Sequence, residues 1–187
     1  MALEIEKKYR ITAGDRERVK SNLDEFNAEY EGTDFEENTI YGGSKLNEIG
    51  GILRIRRMNG KAIFTFKKSV QDQTGAKTRI EHESEIGSPD DIAEILDELG
   101  FTKQLVYEKR RETWKFRSVE VVLDELPFGL FMEIEGSITA IREAEMLLDV
   151  EDLEVVQESY PRLTVQKGIK RDGVVEARFV DASDQAA

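Results

Sequence analysis

The chain opens on an alternating stretch, Leu3-Glu4-Ile5-Glu6-Lys7-Lys8-Tyr9-Arg10-Ile11. Read as a strand, it places Leu3, Ile5, Tyr9 and Ile11 on one face and Glu4, Glu6, Lys8 and Arg10 on the other, because strand side chains alternate with period two. After Thr12, a residue suited to capping, the period changes and Val19, Leu23 and Phe26 recur at helical spacing. Residues 28–41 read as strand again, and "YGGSKLNEIGG" reads as a Gly-rich connection whose glycines fit turn chemistry and no phosphate-loop pattern. "GILRIRRMNGKAIFTFKKS" holds two alternating runs joined at Asn59-Gly60, a strong hairpin signal. "TRIEHESEI" is a further alternating strand. In "SPDDIAEILDELG", Ser88 caps a helix with Pro89 at its first position, acids in its first turn and Gly100 as its stop.

Three more strands are predicted in "LVYEKRRETWKF", "VEVVLDEL" and "LFMEIEGS", with a turn around Pro127-Phe128-Gly129. A helix over about Thr139 to Leu148 follows, then "SYPRLTVQKG" and a polar tail ending in DASDQAA that is expected to be disordered. The pattern adds up to about eight strands and three or four helices. Short turns demand antiparallel neighbours. A large antiparallel sheet with helices outside it is an α+β fold, and closing that sheet would remove its vulnerable edges.

Length and composition narrow the picture. At 187 residues one domain is expected, here residues 1–170 with a tail over 171–187. The charged fraction of 35% exceeds the roughly 25% of an average domain. The net charge of -12 argues against nonspecific nucleic-acid binding, which relies on a basic footprint. An anionic ligand would need a local basic pocket or a metal ion. With no cysteine, disulfides and thiolate metal sites are excluded. No apolar run approaches the roughly 18 residues of a membrane span, and the N-terminus is acidic where a signal peptide is basic, so a cytoplasmic protein is expected.

The charges recur in pairs. Arg54 and Arg56 share a face opposite Leu53 and Ile55, and Thr65 and Lys67 align against Phe64 and Phe66. Arg79, Glu81 and Glu83 share a face, as do Lys109 and Arg111, and Glu133 and Glu135 oppose Met132 and Ile134, while Asp124 closes the "VVLD" run. A charged outer face on one antiparallel strand is ordinary. The set is harder to dismiss, because residues two apart on a strand lie about 6.6 Å from each other and concentrate like charge. Helices outside the sheet require apolar outer positions, which sends the charged faces inward. A barrel with an ionic lumen satisfies both demands. Carboxylates are hard oxygen donors for Mg²⁺ or Mn²⁺, and Arg and Lys match phosphate oxygens, so such a lumen suits a polyphosphate with its metal.

At this point the sequence resembles the CYTH superfamily, the triphosphate tunnel metalloenzymes, which includes class IV adenylate cyclase and thiamine triphosphatase. "EIEKK" matches that family's Glu-x-Glu-x-Lys signature in Glu4, Glu6 and Lys8. The later blocks follow in order over roughly residues 1 to 168: Arg54 and Arg56, Lys67, Glu81 and Glu83, Lys109 and Arg111, Asp124, Glu133 and Glu135, and Ser159-Tyr160. The resemblance implies an eight-stranded antiparallel closed β-barrel, a tunnel, with helices packed outside. It implies Glu4, Glu6, Asp124, Glu133 and Glu135 as ligands of Mg²⁺ or Mn²⁺, and Lys8, Arg54, Arg56, Lys67, Lys109 and Arg111 as triphosphate-binding groups. Lys8 could instead orient the attacking water, and Glu81 and Glu83 are candidates to position water or hold a second metal, with Glu85 on the same face as a substitute for either. Two departures stand out. Lys68-Ser69 occupies the place of the Lys-Gly-Pro of many members, and the basic residue often supplied by the C-terminal segment is Lys167 or Lys170.

Among residues outside these blocks, His82 is the sole histidine and lies between Glu81 and Glu83 on the opposite face, which favours a structural or surface role. Trp114 is expected in packing, and Arg110 and Glu112 on the outer surface or against helices. The leading function is a metal-dependent triphosphatase acting on inorganic triphosphate, thiamine triphosphate or a nucleoside triphosphate. The alternatives are a class IV adenylate cyclase and a noncatalytic polyphosphate-binding module. The expected partner is a triphosphate-bearing small molecule, with no nucleic acid, no membrane and a homodimer left open.

Overall fold

The computed structural model describes residues 5–71 and 77–180. In chain order its first elements are β1 (Glu6–Ile11), α1 (Ala13–Glu25), β2 (Glu29–Gly42), α2 (Ser44–Ile49), β3 (Gly51–Met58), β4 (Lys61–Gln71) and β5 (Lys77–Glu85). Then come α3 (Pro89–Glu98), β6 (Thr102–Phe116), β7 (Val119–Leu126), β8 (Gly129–Glu135), α4 (Ile138–Leu148), α5 (Tyr160–Lys167), β9 (Ile169–Arg171) and β10 (Val174–Ala177). The fold is α+β with a large, mainly antiparallel sheet and five helices among the described residues. None of these helices is long and apolar enough to cross a membrane.

The main strand order is β1-β8-β7-β6-β2-β3-β4-β5. The expected closure into a barrel is not seen: among the described residues no pairing joins β1 to β5. A physical reason lies on the outer edge of β1, whose hydrogen-bonding groups are already taken. The N–H of Arg10 donates to the carbonyl of Glu154 at 2.9 Å, and the N–H of Val156 donates to the carbonyl of Lys8 at 2.8 Å. The sheet also departs from a purely antiparallel pattern, because β10 runs parallel to β6, Val175–Ala177 beside Leu105–Tyr107.

The chain divides into two compact units. The first comprises Met1–Asp34 and Lys109–Glu158, the second Phe35–Glu108 and Ser159–Ala187. The core of the first joins Tyr9 and Ile11 of β1, Val19 and Leu23 of α1, Trp114 and Phe116 of β6, Val121 and Leu123 of β7, Met132 and Ile134 of β8, and Ile141 and Leu148 of α4. Burying each such large side chain is worth about 1.5–3 kcal/mol, so this seam is what holds the helices on the sheet. Thr12 starts α1 through a reciprocal box, its hydroxyl accepting from the Asp15 N–H at 3.1 Å and its own N–H donating to Asp15 Oδ2 at 2.9 Å. Arg16 and Lys20 of α1 pair with Glu112 at 2.6 and 3.0 Å, the helix contact expected for that residue.

The second unit buries Tyr41, Leu46, Leu53, Ile55 and Leu96 together, with Phe64 and Phe66 against them. Its hairpin turns at Asn59-Gly60, with Met58 opposite Lys61 and Gly60 at φ 74°, a conformation that glycine adopts without a Cβ penalty. His82 stacks on Phe66 with ring centroids 6.3 Å apart, a packing role on the side away from Glu81 and Glu83. Three segments take shapes that the sequence reading had not given them. The Gly-rich connection contains α2, "SYPRLTVQKG" forms α5, and the expected tail contributes β10 and ordered chain as far as Val180.

Candidate active site

In the first unit, the polar face opposite the core is assembled by register. Lys8 on β1 stands opposite Glu133 on β8, and Asp124 on β7 stands opposite Arg111 on β6. The side chains link into one ionic chain. Lys8 Nζ lies 3.2 Å from Glu133 Oε1 and donates to the Glu158 carbonyl at 3.1 Å. Arg111 bridges two acids, donating to Asp124 through Nε at 2.8 Å and Nη2 at 2.6 Å and to Glu133 Oε2 at 2.6 Å. Lys109 Nζ lies 3.6 Å from Asp124 Oδ1. Lys8, Lys109, Asp124 and Glu133 are all buried. Such burial costs desolvation that pairing only offsets, so the chain is poor evidence for stability as its purpose and better evidence for a site.

Further along the same face, Glu6 stands opposite Glu135, and Glu135 opposite Glu120. Like charges directly opposite destabilise a sheet, and Lys115 stands opposite Glu120 in the same row. A hard divalent cation matches these oxygen donors, and in that respect the residues fit a metal. No three acidic or histidine side chains among the described residues are already gathered into a ligand set. Glu4, expected as a further ligand, lies outside the described residues. Both oxygens of Asp124, and both of Glu133, face cations of the ionic chain.

Behind this face, Glu145 of α4 accepts the Tyr9 hydroxyl at 2.7 Å and pairs with Lys7. Burial opposes ionisation of Glu145, but Lys7 and the Tyr9 hydroxyl outweigh it and hold the carboxyl below the usual range. The same burial, with Glu145 adjacent, pushes the Tyr9 phenol far up. Glu145 thereby fixes β1 from the core side while Glu6 and Lys8 occupy the other face. Its partners are distant in sequence, and no local signal in "REAEMLL" marks it.

In the second unit, Arg54 on β3, Thr65 on β4 and Glu83 on β5 form one cross-strand row. Arg54 Nη2 donates to Thr65 Oγ1 at 3.3 Å and to Glu83 Oε1 at 3.0 Å, and the Thr65 hydroxyl donates to the same Glu83 oxygen at 2.7 Å. Burial raises the Glu83 carboxyl, yet the Thr65 hydroxyl and the Arg54 and Arg56 guanidiniums prevail and hold it below the usual range. Lys67 stands opposite Glu81 and pairs with it at 2.6 Å. Glu85 falls opposite Ile63, so the register gives Glu81 and Glu83 the basic partners. Lys167 and Lys170 are both exposed.

Several buried polar groups here were not anticipated. Glu36 and Asn38 of β2 are buried, Glu36 Oε2 lying 3.7 Å from Arg56 Nε and accepting from Asn38 Nδ2 at 3.2 Å. Tyr107 is buried on β6; burial pushes its phenol up, and Arg54 beside it pulls the other way. The Nε atoms of Arg54 and Arg56 are buried with no hydrogen-bond acceptor among the described residues. The alternation in "EENTIYG" was a usable signal for Glu36 and Asn38, because it places them on one face with Ile40.

Residues 2–161 match the model of the CYTH domain, and the chain belongs to that family. It is 29% identical over 180 residues to "Putative adenylate cyclase MJ0240" of Methanocaldococcus jannaschii, covering 95% of this chain and 97% of that protein. The structure of the PH1819 protein of Pyrococcus horikoshii superposes with a TM-score of 0.71 at 29% identity, over 88% of this chain and 99% of that one. A structure described as "Putative adenylyl cyclase HpAC1 from Hippeastrum reveals a dominant triphophatase activity" shares the fold at a TM-score of 0.65 and 16% identity, over 89% of this chain and 96% of that one.

Proposed function

We propose that the chain is a divalent-metal-dependent hydrolase of a triphosphate. The observation that carries this reading is the pair of buried, acceptorless Nε–H groups on Arg54 and Arg56. A buried donor without a partner costs roughly 1–3 kcal/mol, and an oxygen-rich anion is the partner that two adjacent guanidiniums take best. The exposed side chains of Glu81 and Glu83, on Lys67 and Arg54, are partners that an anion can displace. Within the first unit, Asp124 holds Arg111 in a bidentate grip that orients it.

Mg²⁺ or Mn²⁺, held by Glu6 and Glu135 with Glu4 and a share of Glu133, would neutralise charge on the phosphate oxygens. Lys8, buried and hydrogen-bonded to the Glu158 carbonyl, would fix a phosphate oxygen or the attacking water. Water adds to the terminal phosphorus, the bridging P–O bond breaks, and inorganic triphosphate yields pyrophosphate and orthophosphate. The basic residues stabilise the charge that spreads over the transferring group. A soluble, cytoplasmic setting belongs to this proposal.

A second reading, class IV adenylate cyclase, is favoured by the name of the Methanocaldococcus relative. There the ribose 3′ oxygen would attack the α-phosphorus of ATP and pyrophosphate would leave. Product analysis separates the two. The protein is incubated with inorganic triphosphate and with ATP, each with Mg²⁺ or Mn²⁺, beside a Glu4→Gln/Glu6→Gln control. Orthophosphate that the control abolishes establishes the hydrolase, cyclic AMP with pyrophosphate establishes the cyclase, and tight triphosphate binding without turnover leaves a binding module.

A further inference from the structure

We propose that Glu36 and Asn38 are positioning residues that hold Arg56 in one orientation, its Nε–H kept available for an oxygen of the triphosphate. The inference rests on the proposed triphosphate reading and assigns a role to two residues outside the motif blocks. Three observations combine. Glu36 is 2% exposed and Asn38 fully buried, both on β2, and Asn38 stands directly opposite Arg56 in the β2–β3 register. Glu36 Oε2 is 3.7 Å from Arg56 Nε, within ion-pair range but too long for a hydrogen bond. Asn38 Nδ2 donates to that same oxygen at 3.2 Å, giving it a donor other than Arg56.

The result is a guanidinium that feels the charge of Glu36 without giving it the Nε proton. Arg54, two residues earlier on the same face, differs. Its Nη2 is engaged by Thr65 and Glu83, so an incoming anion has to replace existing bonds there. At Arg56 Nε there is nothing to replace, since the buried Nε–H has no acceptor among the described residues. A donor fixed in place and unengaged binds without reorganisation. The Asn38 Oδ1, also buried without a partner, is what remains when the amide is turned so that its NH₂ serves Glu36. A side chain chosen only for packing at that position would carry no such exposed need for a bond.

The test is a double-mutant cycle with inorganic triphosphate as probe, comparing wild type, Glu36→Gln, Arg56→Ala and the double variant. Misplacing a binding group by a fraction of an ångström to 1 Å costs up to about a hundredfold, so Glu36→Gln is expected to raise KM by roughly ten- to a hundredfold. If Glu36 acts through Arg56, its substitution costs nothing further once Arg56 is alanine. Additive losses, or an unchanged KM in Glu36→Gln, overturn the proposal. Should Glu36→Gln fail to fold, Asn38→Ala in the same cycle serves, with the same non-additivity expected and additivity again fatal.

A readout without substrate separates this inference from the reading it rests on. The Arg56 Nε–H resonance, identified by its disappearance in Arg56→Lys, is expected to be dispersed and slow to exchange in wild type and to lose that protection in Glu36→Gln. A resonance indifferent to Glu36 sinks the positioning role whatever the substrate. A protected resonance in a protein that neither binds nor turns over triphosphate sustains the positioning and removes the triphosphate function.

Discussion

The two units carry the same ingredients, arginine, lysine and carboxylate on one sheet face, and treat them differently. In the first, Arg111 is clamped by two carboxylates at 2.6 to 2.8 Å, and Asp124 is 1% exposed. In the second, the side chain of Glu83, the partner of Arg54, is 40% exposed, and two guanidinium Nε–H groups have no acceptor. Burial of Asp124 strengthens the bonds it makes and makes each one costly to break, whereas solvent at the Glu83 carboxylate keeps its pair with Arg54 cheap to exchange. On the proposed reading, the first group sets geometry and the second trades partners with an anion.

The largest expected effect breaks the framework. Arg111→Ala leaves Asp124 and Glu133 buried without their shared cation and should cost about 3 kcal/mol or more in urea unfolding. A loss below about 1 kcal/mol would mean the ionic chain is no more structural than a surface pair. Tyr9→Phe removes only the hydroxyl that Glu145 accepts and should cost about 1–2 kcal/mol by the same measurement. Arg54→Ala is the counterpart on the exchangeable side. Its stability cost should stay under about 1 kcal/mol because Glu83 can turn to water. Its turnover of inorganic triphosphate should nonetheless fall on the order of a hundredfold. If stability and turnover fell together, the contrast between the units would collapse.

Acid sharpens the contrast with the smallest signal. Glu145 and Glu112 in the first unit both ionise more readily in the folded protein than free glutamate does, their cationic partners outweighing burial. A depressed folded value means the stability they contribute is fully present above the unfolded glutamate pKa of about 4.3 and is lost as the pH falls through the folded values. The urea midpoint should therefore decline below that region, and Glu145→Gln should flatten the decline while lowering the plateau near neutrality. An unaltered acid limb in that variant would remove Glu145 from the account.

Much of this was legible in the alternation of residues. β1, β3, β4, β7 and β8 fall where the period-two runs place them, and the motif residues within the described chain fall on the faces that the pattern assigned. What escaped depends on distant contacts. α2 has six residues, too few to show a helical period, and gains its place by burying Leu46 in the second core. β10 is four residues long and exists as a strand through β6 and β9. Closure was inferred from the cost of open edges, and the pattern could not reveal that residues near 155 would occupy the edge of β1. Glu36 and Asn38 were visible as alternating polar positions, but polarity alone does not tell a buried bond from a wetted one.

That occupied edge bears on how copies of the chain meet. A strand with free N–H and C=O groups invites a neighbour to add to the sheet and begin an aggregate. On β1 the chain supplies the neighbour itself, through Glu154 and Val156. The other terminal strand, β5, pairs only with β4 among the described residues and exposes Glu81, Glu83 and Glu85 along its length. Two copies approaching edge to edge there would bring acid against acid. One end of the sheet thus meets a neighbouring copy with backbone groups already engaged and the other with carboxylates, two of which, Glu81 and Glu83, are assigned to the site.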